Sequence, residues 1–269
     1  MILGQPDFSV QPKGAAPSPD DLLICFDDSK ILLDISGNVP ALPRLGDQPA
    51  SFEMAHTDAF TLFSPHPFDG TPLPETESLR YHEISVFRSM PEDTSALITS
   101  CWHLWNWYRA HRFCGKCGQP MTPDTKERAL RCACGHMVFP VICPAIIVAI
   151  TCGDQILLAK SARGNFRRFA LIAGYLEVGE TLEHALRREV LEETGLELTS
   201  IRYLGDQPWG FSGSHMFAFH ATADCTQPLR IQPEELSEAR WFRRDELTPP
   251  ENTVSIAFQM IERFRQGTL

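Results

Sequence analysis

The segment spanning residues 174–196, GYLEVGETLEHALRREVLEETGL, constrains this chain more than any other. It fits the pattern G-x5-E-x7-R-E-U-x-E-E-x-G-U, in which U is an apolar residue, at every fixed position. Leu182, Leu186 and Val190 recur at every fourth residue, which predicts an amphipathic helix with one buried face. Thr181 is a candidate N-cap for this helix, and Gly195 is expected to mark its end, since glycine is the usual stop signal.

Three glutamates of this helix, Glu189, Glu192 and Glu193, are spaced so that their side chains share one face. Carboxylates packed this closely repel one another unless a cation lies between them, and hard cations such as Mg²⁺ prefer oxygen ligands. Glu180 precedes the helix and is expected to join the cluster through the loop, whereas Arg188 is expected to orient a carboxylate. The alternative is a solvated acidic helix face, but the glycines at defined offsets favour a metal site.

Length and charge narrow the class of protein. With 269 residues, 43% of them hydrophobic, the chain can form two domains, or one domain with attachments. No segment has the apolar length of a membrane span, and the first 14 residues lack the pattern of a secretory signal. We therefore expect a soluble cytoplasmic protein with no membrane partner. The net charge of −10 argues against broad binding of long nucleic acids but leaves room for a nucleotide end in a pocket.

The order of segments predicts four parts. Short apolar runs at 22–26 and 31–35 are typical of strands, and loop-forming residues separate them. In the second half, strand and helix patterns interleave, which predicts an α/β domain with a mixed sheet. The expected parts are an N-terminal β-containing domain of unknown role (1–95), a linker helix (96–112), a zinc ribbon (113–140) and a catalytic domain (141–269).

The cysteines predict a metal site. The chain has nine of them, and four are crowded into a short segment. These four are Cys114, Cys117, Cys132 and Cys134. Two pairs of thiolates followed by glycines are typical of a closed, tetrahedral structural zinc site. The second pair is one residue shorter than usual, so His136 or Cys143 is an alternative ligand to Cys132. We expect the other cysteines to be free thiols in a reducing compartment rather than a disulfide framework.

The glutamate-rich segment resembles the signature box of the Nudix hydrolases, which split nucleoside diphosphates linked to another moiety. The resemblance implies an α/β/α sandwich, with Mg²⁺ or Mn²⁺ held by the box glutamates and water attacking a phosphorus of a pyrophosphate. By this resemblance Glu189 and Glu193 are the expected metal ligands. Glu192 is either a further ligand or the base that handles the water, and Arg188 supports this catalytic set.

The cysteine pairs ahead of the box, with the stretches WYRAHRFCGKCG and FPVICPAIIVAI, resemble the NADH pyrophosphatase branch of the Nudix family. The resemblance covers about residues 96–265. That branch carries a motif SQPWPFPxS after the box, and here the corresponding stretch reads DQPWGFSGS. Asp206, Gly210 and Ser212 depart from the motif, which leaves the substrate preference open.

Resemblance to this branch implies a set of substrate-binding positions: Glu127, Phe139, Ala173, Tyr175, Gln207, Pro208, Trp209, Phe211, Ser214 and Ala257. Tyr175 is expected to stack on a base, and Gln207 to offer its amide to a base or carboxamide. Glu235 is expected to join the metal site, and Glu127 and Phe139 to reach across a homodimer.

Basic residues before the box, Arg163, Arg167 and Arg168, either attract the phosphates of a dinucleotide or are solvated. His215 is interpreted as a satisfied polar residue rather than a catalyst.

Three functions remain compatible with the sequence. The first is metal-dependent hydrolysis of NAD(H) to AMP and nicotinamide mononucleotide, with removal of NAD caps from RNA 5′ ends implied by the branch. The second is the same chemistry on ADP-ribose or another nucleoside diphosphate derivative. The third is a non-catalytic NAD-binding regulator, against which the complete set of glutamates argues.

Overall fold

A computed structural model describes residues 7–65, 72–163, 168–250, 252 and 254–269. The chain divides into two compact units. One unit contains Ile142–Pro208 and Ser214–Leu269, and the other contains the described residues up to Val141 together with Trp209–Gly213. In the part of the chain that the structure describes, no helix is long and apolar enough to cross a membrane.

The N-terminal unit begins with two small sheets. Its strands are β1 (Leu22–Leu23), β2 (Phe26–Asp27), β3 (Lys30–Asp34), β4 (Phe52–His56), β5 (Thr61–Ser64) and β6 (Leu79–Glu83). Their orders are β1-β5-β4 and β2-β3-β6. The apolar run at 22–26 was expected to be one strand, but the chain changes partner within it. The Ile24 amide donates to Phe63 of β5, whereas the Cys25 carbonyl accepts from Leu32 of β3.

Helix α1 (Glu92–Ala110) follows a 3₁₀ turn; it begins four residues before the span expected for a linker helix (96–112) and ends two residues before the end of that span. Ile98 and Trp105 of this helix are buried, and Trp105 stacks on Trp102 at 5.2 Å between ring centroids. The zinc-ribbon segment then forms a three-stranded sheet of β7 (Met121–Pro123), β8 (Leu130–Cys132) and β9 (Met137–Val138). The buried Arg128 donates to the backbone carbonyls of Glu53 and Met54, which ties this segment to β4.

The second unit contains a mixed six-stranded sheet and two helices. Its elements are β10 (Cys143–Cys152), β11 (Gln155–Ser161), β12 (Ile172–Tyr175), α2 (Leu182–Thr194), β13 (Leu198–Trp209), β14 (Ser214–Ala223), β15 (Leu236–Arg243) and α3 (Ile256–Arg265). The order is β13-β14-β10-β11-β15, and β12 pairs with β10. The strand β10 runs parallel to β14 and antiparallel to β11 and β12.

The central strand β10 buries both of its faces because successive side chains point to opposite sides of a sheet. Ile146 and Val148 pack in one core cluster with Leu186 and Val190 of α2. Ile147 lies in a second cluster that contains Ile256, Met260 and Phe264 of α3. One helix therefore covers each face of the sheet, and the expected α/β/α sandwich is confirmed.

Long-range pairing accounts for what the sequence did not predict. The strand β12 is only four residues long and contains a glycine, so it has no strand pattern of its own, but its pairing with β10 makes it a strand. The expectation that all cysteines outside the zinc site are free thiols is wrong for one pair. Cys152 and Cys225 form a disulfide, with their Cα atoms 5.8 Å apart, because the end of β10 lies beside the chain that leaves β14. Cys25, Cys101 and Cys143 are free thiols.

Candidate active site and zinc site

The helix α2 is fixed at both ends by the residues that the sequence indicated. The Thr181 hydroxyl accepts a hydrogen bond from the His184 amide at 3.2 Å, and Gly195 ends the helix with φ 73°. Ala185, Leu186 and Val190 are buried against the sheet. The helix is therefore anchored through one face, and its glutamates project from the remainder of its surface.

Gly174 in β12 lies directly beneath Glu189. A Cβ atom built on Gly174 would lie 2.0 Å from Cδ and 2.2 Å from Oε1 of Glu189, far closer than any real contact. Gly174 does not have a positive φ, so the backbone would accept any residue. The box therefore requires glycine here for space, because the Glu189 carboxylate occupies the volume of a side chain.

Arg188 connects three glutamates. Its Nε and Nη2 atoms donate to the two carboxylate oxygens of Glu180 at 2.8 and 2.9 Å. Its Nη1 donates to Glu189 at 2.9 Å and to Glu192 at 3.2 Å, and Nη2 also donates to the carbonyl of Tyr175 at 3.0 Å. The Glu180 carboxylate, followed by the other two, raises the pKa of Arg188. Arg188 thus orients carboxylates, as its place in the box suggested.

Glu180 is held by Arg188 on both carboxylate oxygens. The Arg188 guanidinium and then the Glu177 amide lower the pKa of Glu180 to about 2. Glu180 is therefore an ionised residue whose two carboxylate oxygens are already bound to the Arg188 guanidinium.

Glu193 is the most buried acid of the cluster, with 9% of its surface exposed. Burial, followed by the negative charges of Glu189, Glu235 and Glu192, raises the pKa of Glu193 to about 7. Burial also raises the pKa of Glu189. Within the described ranges no Lys, Arg or His pairs with the Glu193 carboxylate. Its neighbours are acids, so this position has the surroundings of a cation-binding carboxylate.

Glu235 directly precedes β15, and its negative charge is among the causes that raise the pKa of Glu193. Arg163 pairs with Glu235 at 2.8 Å between Nη2 and Oε1, and its Nε donates to the Glu234 carbonyl at 3.1 Å. Arg163 is largely exposed, so this pair adds little to stability. Arg167 lies outside the described residues.

The donor set fits a hard divalent cation. The carboxylates of the cluster outnumber the guanidinium groups that face them, and the ligands that Mg²⁺ and Mn²⁺ prefer are carboxylate oxygens. Glu189 and Glu193 lie on successive turns of α2, and Glu235 directly precedes β15. Among the described residues their carboxylate oxygens do not all lie within 4.8 Å of one another, as the four ribbon sulfur atoms do, so it is the chemistry of the donors that suits the cation. A cation between them would relieve the repulsion that raises the pKa of Glu193.

The four cysteines of the ribbon come together as one group. The sulfur atoms of Cys114, Cys117, Cys132 and Cys134 all lie within 4.8 Å of one another. The Sγ atoms of Cys117 and Cys132 are 3.4 Å apart, and those of Cys114 and Cys134 are 3.8 Å apart. A regular tetrahedron with Zn–S bonds of about 2.3 Å has sulfur atoms about 3.8 Å apart, so the group fits zinc.

The shorter second knuckle does not turn Cys132 away. Gly135 follows it with φ 85°, and the Cys132 amide donates to the His136 carbonyl at 2.9 Å, so the tight turn keeps both sulfur atoms on one side. Among the described residues the group consists of the four cysteines, without His136 or Cys143. Burial raises the pKa of Cys114, but hydrogen bonds from the Lys116 and Cys117 amides outweigh it and lower the pKa to about 7. A hydrogen bond to the Gln119 backbone lowers the pKa of Cys117, but the Cys132 and Cys134 sulfur atoms outweigh it and raise the pKa to about 12, so the four thiols do not ionise alike without the metal.

Tyr175 and Ser214 meet at the start of the sheet. Tyr175 follows Gly174 in β12 and is about half exposed, and its hydroxyl lies 3.2 Å from the Ser214 hydroxyl. Ala173 is paired with Ile147 of β10. These three predicted substrate positions therefore belong to the unit that carries the glutamates.

Gln207, another predicted substrate position, uses both ends of its amide on the backbone. Its Nε2 donates to the Val254 carbonyl at 2.8 Å, and its Oε1 accepts from the Ile256 amide at 2.7 Å. Pro208 follows it at the end of β13, and Ala257 lies in the first turn of α3.

Trp209 and Phe211 pack within the N-terminal unit. Their rings lie 5.7 and 5.5 Å from that of Phe87. The guanidinium of Arg88 covers them, at 5.6 Å from Trp209 and 5.7 Å from Phe211. Burial lowers the pKa of Arg88. Sequence reasoning missed Arg88, because one arginine in a 3₁₀ turn has no motif or spacing that marks it.

The remaining predicted positions lie in the same N-terminal unit or at its edges. Glu127 is in the turn between β7 and β8, where its amide donates to Asp124 at 3.1 Å. Phe139 follows β9 and is 53% exposed.

In the other unit, His215 pairs with Asp206 at 2.7 Å, and the Tyr203 hydroxyl also donates to Asp206. His215 is thus a satisfied polar residue, as interpreted.

Comparison with known protein families matches residues 142–264 to the NUDIX domain and residues 109–139 to the NADH pyrophosphatase zinc ribbon domain. The chain is 38% identical over 205 residues to the NAD-capped RNA hydrolase NudC of Actinobacillus succinogenes, covering 70% of this chain and 77% of that protein. It is 40% identical over 193 residues to the protein of the same name from Pasteurella multocida, covering 69% of this chain and 72% of that one. A solved NUDIX hydrolase from Nitrosomonas europaea overlaps with a TM-score of 0.47 at 21% identity, over 58% of this chain and 91% of that chain, and adds nothing to the fold described above.

Proposed function

The chain belongs to the Nudix family, and we propose that it hydrolyses the pyrophosphate bond of NAD(H) to give AMP and nicotinamide mononucleotide. We also propose that it removes NAD caps from RNA 5′ ends, the activity that its relatives' name states. The carboxylate cluster around Glu193 carries this proposal, since the buried Glu193 carboxylate pairs with no basic residue among the described residues and pyrophosphate chemistry requires a cation. The zinc ribbon that precedes this domain in the sequence, of the type named for NADH pyrophosphatases, supports this choice of substrate.

The proposed catalytic metal is Mg²⁺ or Mn²⁺, with Glu189, Glu193 and Glu235 as its protein ligands. When bound, such a cation shields phosphate charge, lowers the pKa of water and stabilises the departing oxygen. Zinc is the structural ion of the ribbon. Cys114, Cys117, Cys132 and Cys134 supply the sulfur ligands that zinc needs.

Residues of the chain itself have the remaining catalytic and binding roles. Arg188 fixes the directions of the Glu189 and Glu192 carboxylates, so neither has to reorganise during the reaction. Glu192 is the most exposed acid of the three on α2, with 53% of its side chain accessible. We propose that it accepts the proton of the attacking water at a carboxylate oxygen. Tyr175, exposed at the start of the sheet, offers its ring to a base.

The direct test is to incubate the purified protein with NADH and Mn²⁺ or Mg²⁺ and to measure AMP and nicotinamide mononucleotide. We expect stoichiometric release of both products, and no release by Glu193→Gln. Glu192→Gln should lower kcat while the Mn²⁺ concentration for half-activation stays unchanged, whereas Glu189→Gln should raise that concentration. If the wild type releases no AMP, or if Glu193→Gln behaves like it, the proposed reaction is excluded.

A second candidate substrate is ADP-ribose, and the departures at Asp206, Gly210 and Ser212 from the motif of the branch favour it. A comparison of kcat/KM for NADH, NAD-capped RNA and ADP-ribose separates the two. An ADP-ribose value well above that for NADH would favour the second candidate. Tight binding of NAD without turnover would instead support a regulatory protein.

We further propose a cytoplasmic homodimer with the domain boundaries inferred from the sequence, residues 1–95, 96–112, 113–140 and 141–269. Exposed apolar side chains support a self-association surface, among them Phe113, Phe139 and Val141 in the N-terminal unit. Sedimentation at micromolar concentration is expected to give twice the monomer mass. Phe113→Ser should shift the protein toward the monomer without reducing its zinc content.

A further inference from the structure

The carboxamide of Gln207 is fully engaged by one short stretch of backbone. Its donor end is bound to the Val254 carbonyl at 2.8 Å and its acceptor end to the Ile256 amide at 2.7 Å. A neighbouring β-strand would pair with the same kinds of backbone group, one carbonyl and one amide. A neutral side chain can make this pair of bonds only if it carries both a donor and an acceptor, which glutamine does.

The stretch that Gln207 holds is the entry to α3. Val254 and Ile256 are both buried, and between them Ser255 caps the helix by accepting from the Phe258 amide at 3.4 Å. The cap satisfies one of the free amides of the first turn, and Gln207 satisfies another, that of Ile256. Ala257, a position expected to contact substrate through its backbone, is the next residue.

We infer that Gln207 is a positioning residue for the active site: it locks the start of α3, and with it the backbone of Ala257, rather than presenting its amide to the substrate. The inference rests on the proposed function for its catalytic consequence. Both polar ends of the amide are already used, so a substrate base would have to displace a backbone group to bind there. Removal of the amide therefore weakens the reaction of every substrate that reaches Ala257 by the same factor.

The chain contains a matched control. Gln227 also uses both ends of its amide on backbone, accepting from the Glu197 amide at 2.9 Å and donating to the Glu197 carbonyl at 3.1 Å. It lies in the same unit but in the loop that follows β14, away from α3. A Gln→Met change has the same chemistry at both positions, and only position 207 should affect α3.

The experiment compares full-length wild type, Gln207→Met, Gln207→Glu and Gln227→Met. Backbone hydrogen exchange is followed in peptides that cover residues 254–265, and kcat/KM is measured for NADH and ADP-ribose. For Gln207→Met we expect exchange in the first turn of α3 to rise by about tenfold or more, as the loss of two net hydrogen bonds implies. Both kcat/KM values should fall by the same factor, so that their ratio stays within about twofold of wild type.

Gln207→Glu keeps the acceptor for the Ile256 amide but loses the donor and turns a carboxylate oxygen toward the Val254 carbonyl, which repels it, so its exchange should also rise above that of wild type. Gln227→Met should change neither the exchange of α3 nor the kinetics. Wild-type exchange in Gln207→Met would overturn the inference, and so would a shift of more than about fivefold in the ratio of the two substrates. If the wild type hydrolyses neither substrate, the proposed function fails, and the exchange measurement alone still decides whether Gln207 holds α3.

Discussion

Gly174→Ala isolates the position of one carboxylate. The added Cβ would lie 2.0 Å from Cδ of Glu189, and ordinary contact begins at 3.4 Å, so the carboxylate must move by about 1.4 Å. Misplacement by about 1 Å can lower a catalytic rate about 100-fold, or about 2.7 kcal/mol of transition-state stabilisation. We therefore expect kcat/KM for NADH to fall about 100-fold and the Mn²⁺ concentration for half-activation to rise.

The fold should tolerate the same change. The atoms in the way belong to the flexible end of the Glu189 side chain, and Gly174 has no positive φ. Replacement of glycine by alanine at such a position stabilises a protein by about 0.4–1 kcal/mol through the unfolded chain. The Tm should therefore stay within a few degrees of wild type. Gly37→Ala is the control, since its nearest neighbour, the Val39 carbonyl, would lie 3.8 Å from the new Cβ.

A double-mutant cycle tests whether Gly174→Ala acts through the Glu189 side chain. If Gly174→Ala acts only through the Glu189 side chain, it should cost nothing further once Glu189 has been changed to Ala, which removes the atoms that the new Cβ would meet. Gly174→Ala with activity within about threefold of wild type would refute the steric argument. A loss that adds in full to that of Glu189→Ala would show that the glycine serves some other purpose.

Four other changes test separate parts of the structure. Arg188→Lys exchanges a forked guanidinium for a point charge, and we expect kcat/KM in the NADH assay to fall about 100-fold with little change in Tm. Cys117→Ser should reduce the zinc measured per chain to well below one and lower the Tm by several degrees. Gly210→Ala places a Cβ 2.2 Å from the Thr99 carbonyl oxygen, and because backbone cannot yield as a side chain does, urea unfolding should show a loss of about 1–3 kcal/mol. Burial and neighbouring acids raise the pKa of Glu193 to about 7, so its protonated form stabilises the metal-free fold at low pH and this contribution is lost as the pH rises through 7. The Tm of metal-free wild type should therefore fall between about pH 5 and pH 8, and Glu193→Gln should remove part of that fall, whereas an equal fall in both proteins would contradict this assignment.

Local patterns predicted the elements whose signals are complete within a few residues. The cap at Thr181, the stop at Gly195 and the buried face of α2 all follow from spacing along one helix, and each is confirmed. The same holds for the cysteine knuckles, where the turn geometry is set by the residues between the ligands. Because the second knuckle is shorter, the sequence did not decide whether Cys132 is a zinc ligand. The structure groups it with the other three cysteines.

Contacts between distant parts of the chain could not be predicted in this way. The partners of Gln207 lie 47 and 49 residues further along the chain, so its amide looked free to bind a substrate. The disulfide between Cys152 and Cys225 spans 73 residues, and only the pairing of β10 with β14 brings its ends together. Spacing within a motif carries no information on such partners, because the sheet order decides them.

The glutamates at the end of α2 lower the stability of this helix, and this cost is the strongest physical reason to assign a cation to it. Glu192 and Glu193 lie in its last turns, where the helix dipole disfavours negative charge by about 0.3–1 kcal/mol per group, and its last turn has no basic residue. Glu193 is in addition buried among acids, which raises its pKa to about 7. Arg188 offsets part of this cost for Glu189 and Glu192 but makes no ion pair with Glu193 among the described residues. A divalent cation bound between the carboxylates would offset the unfavourable free energies of the helix dipole, of the repulsion and of burial together. A solvated acidic face would offset none of them.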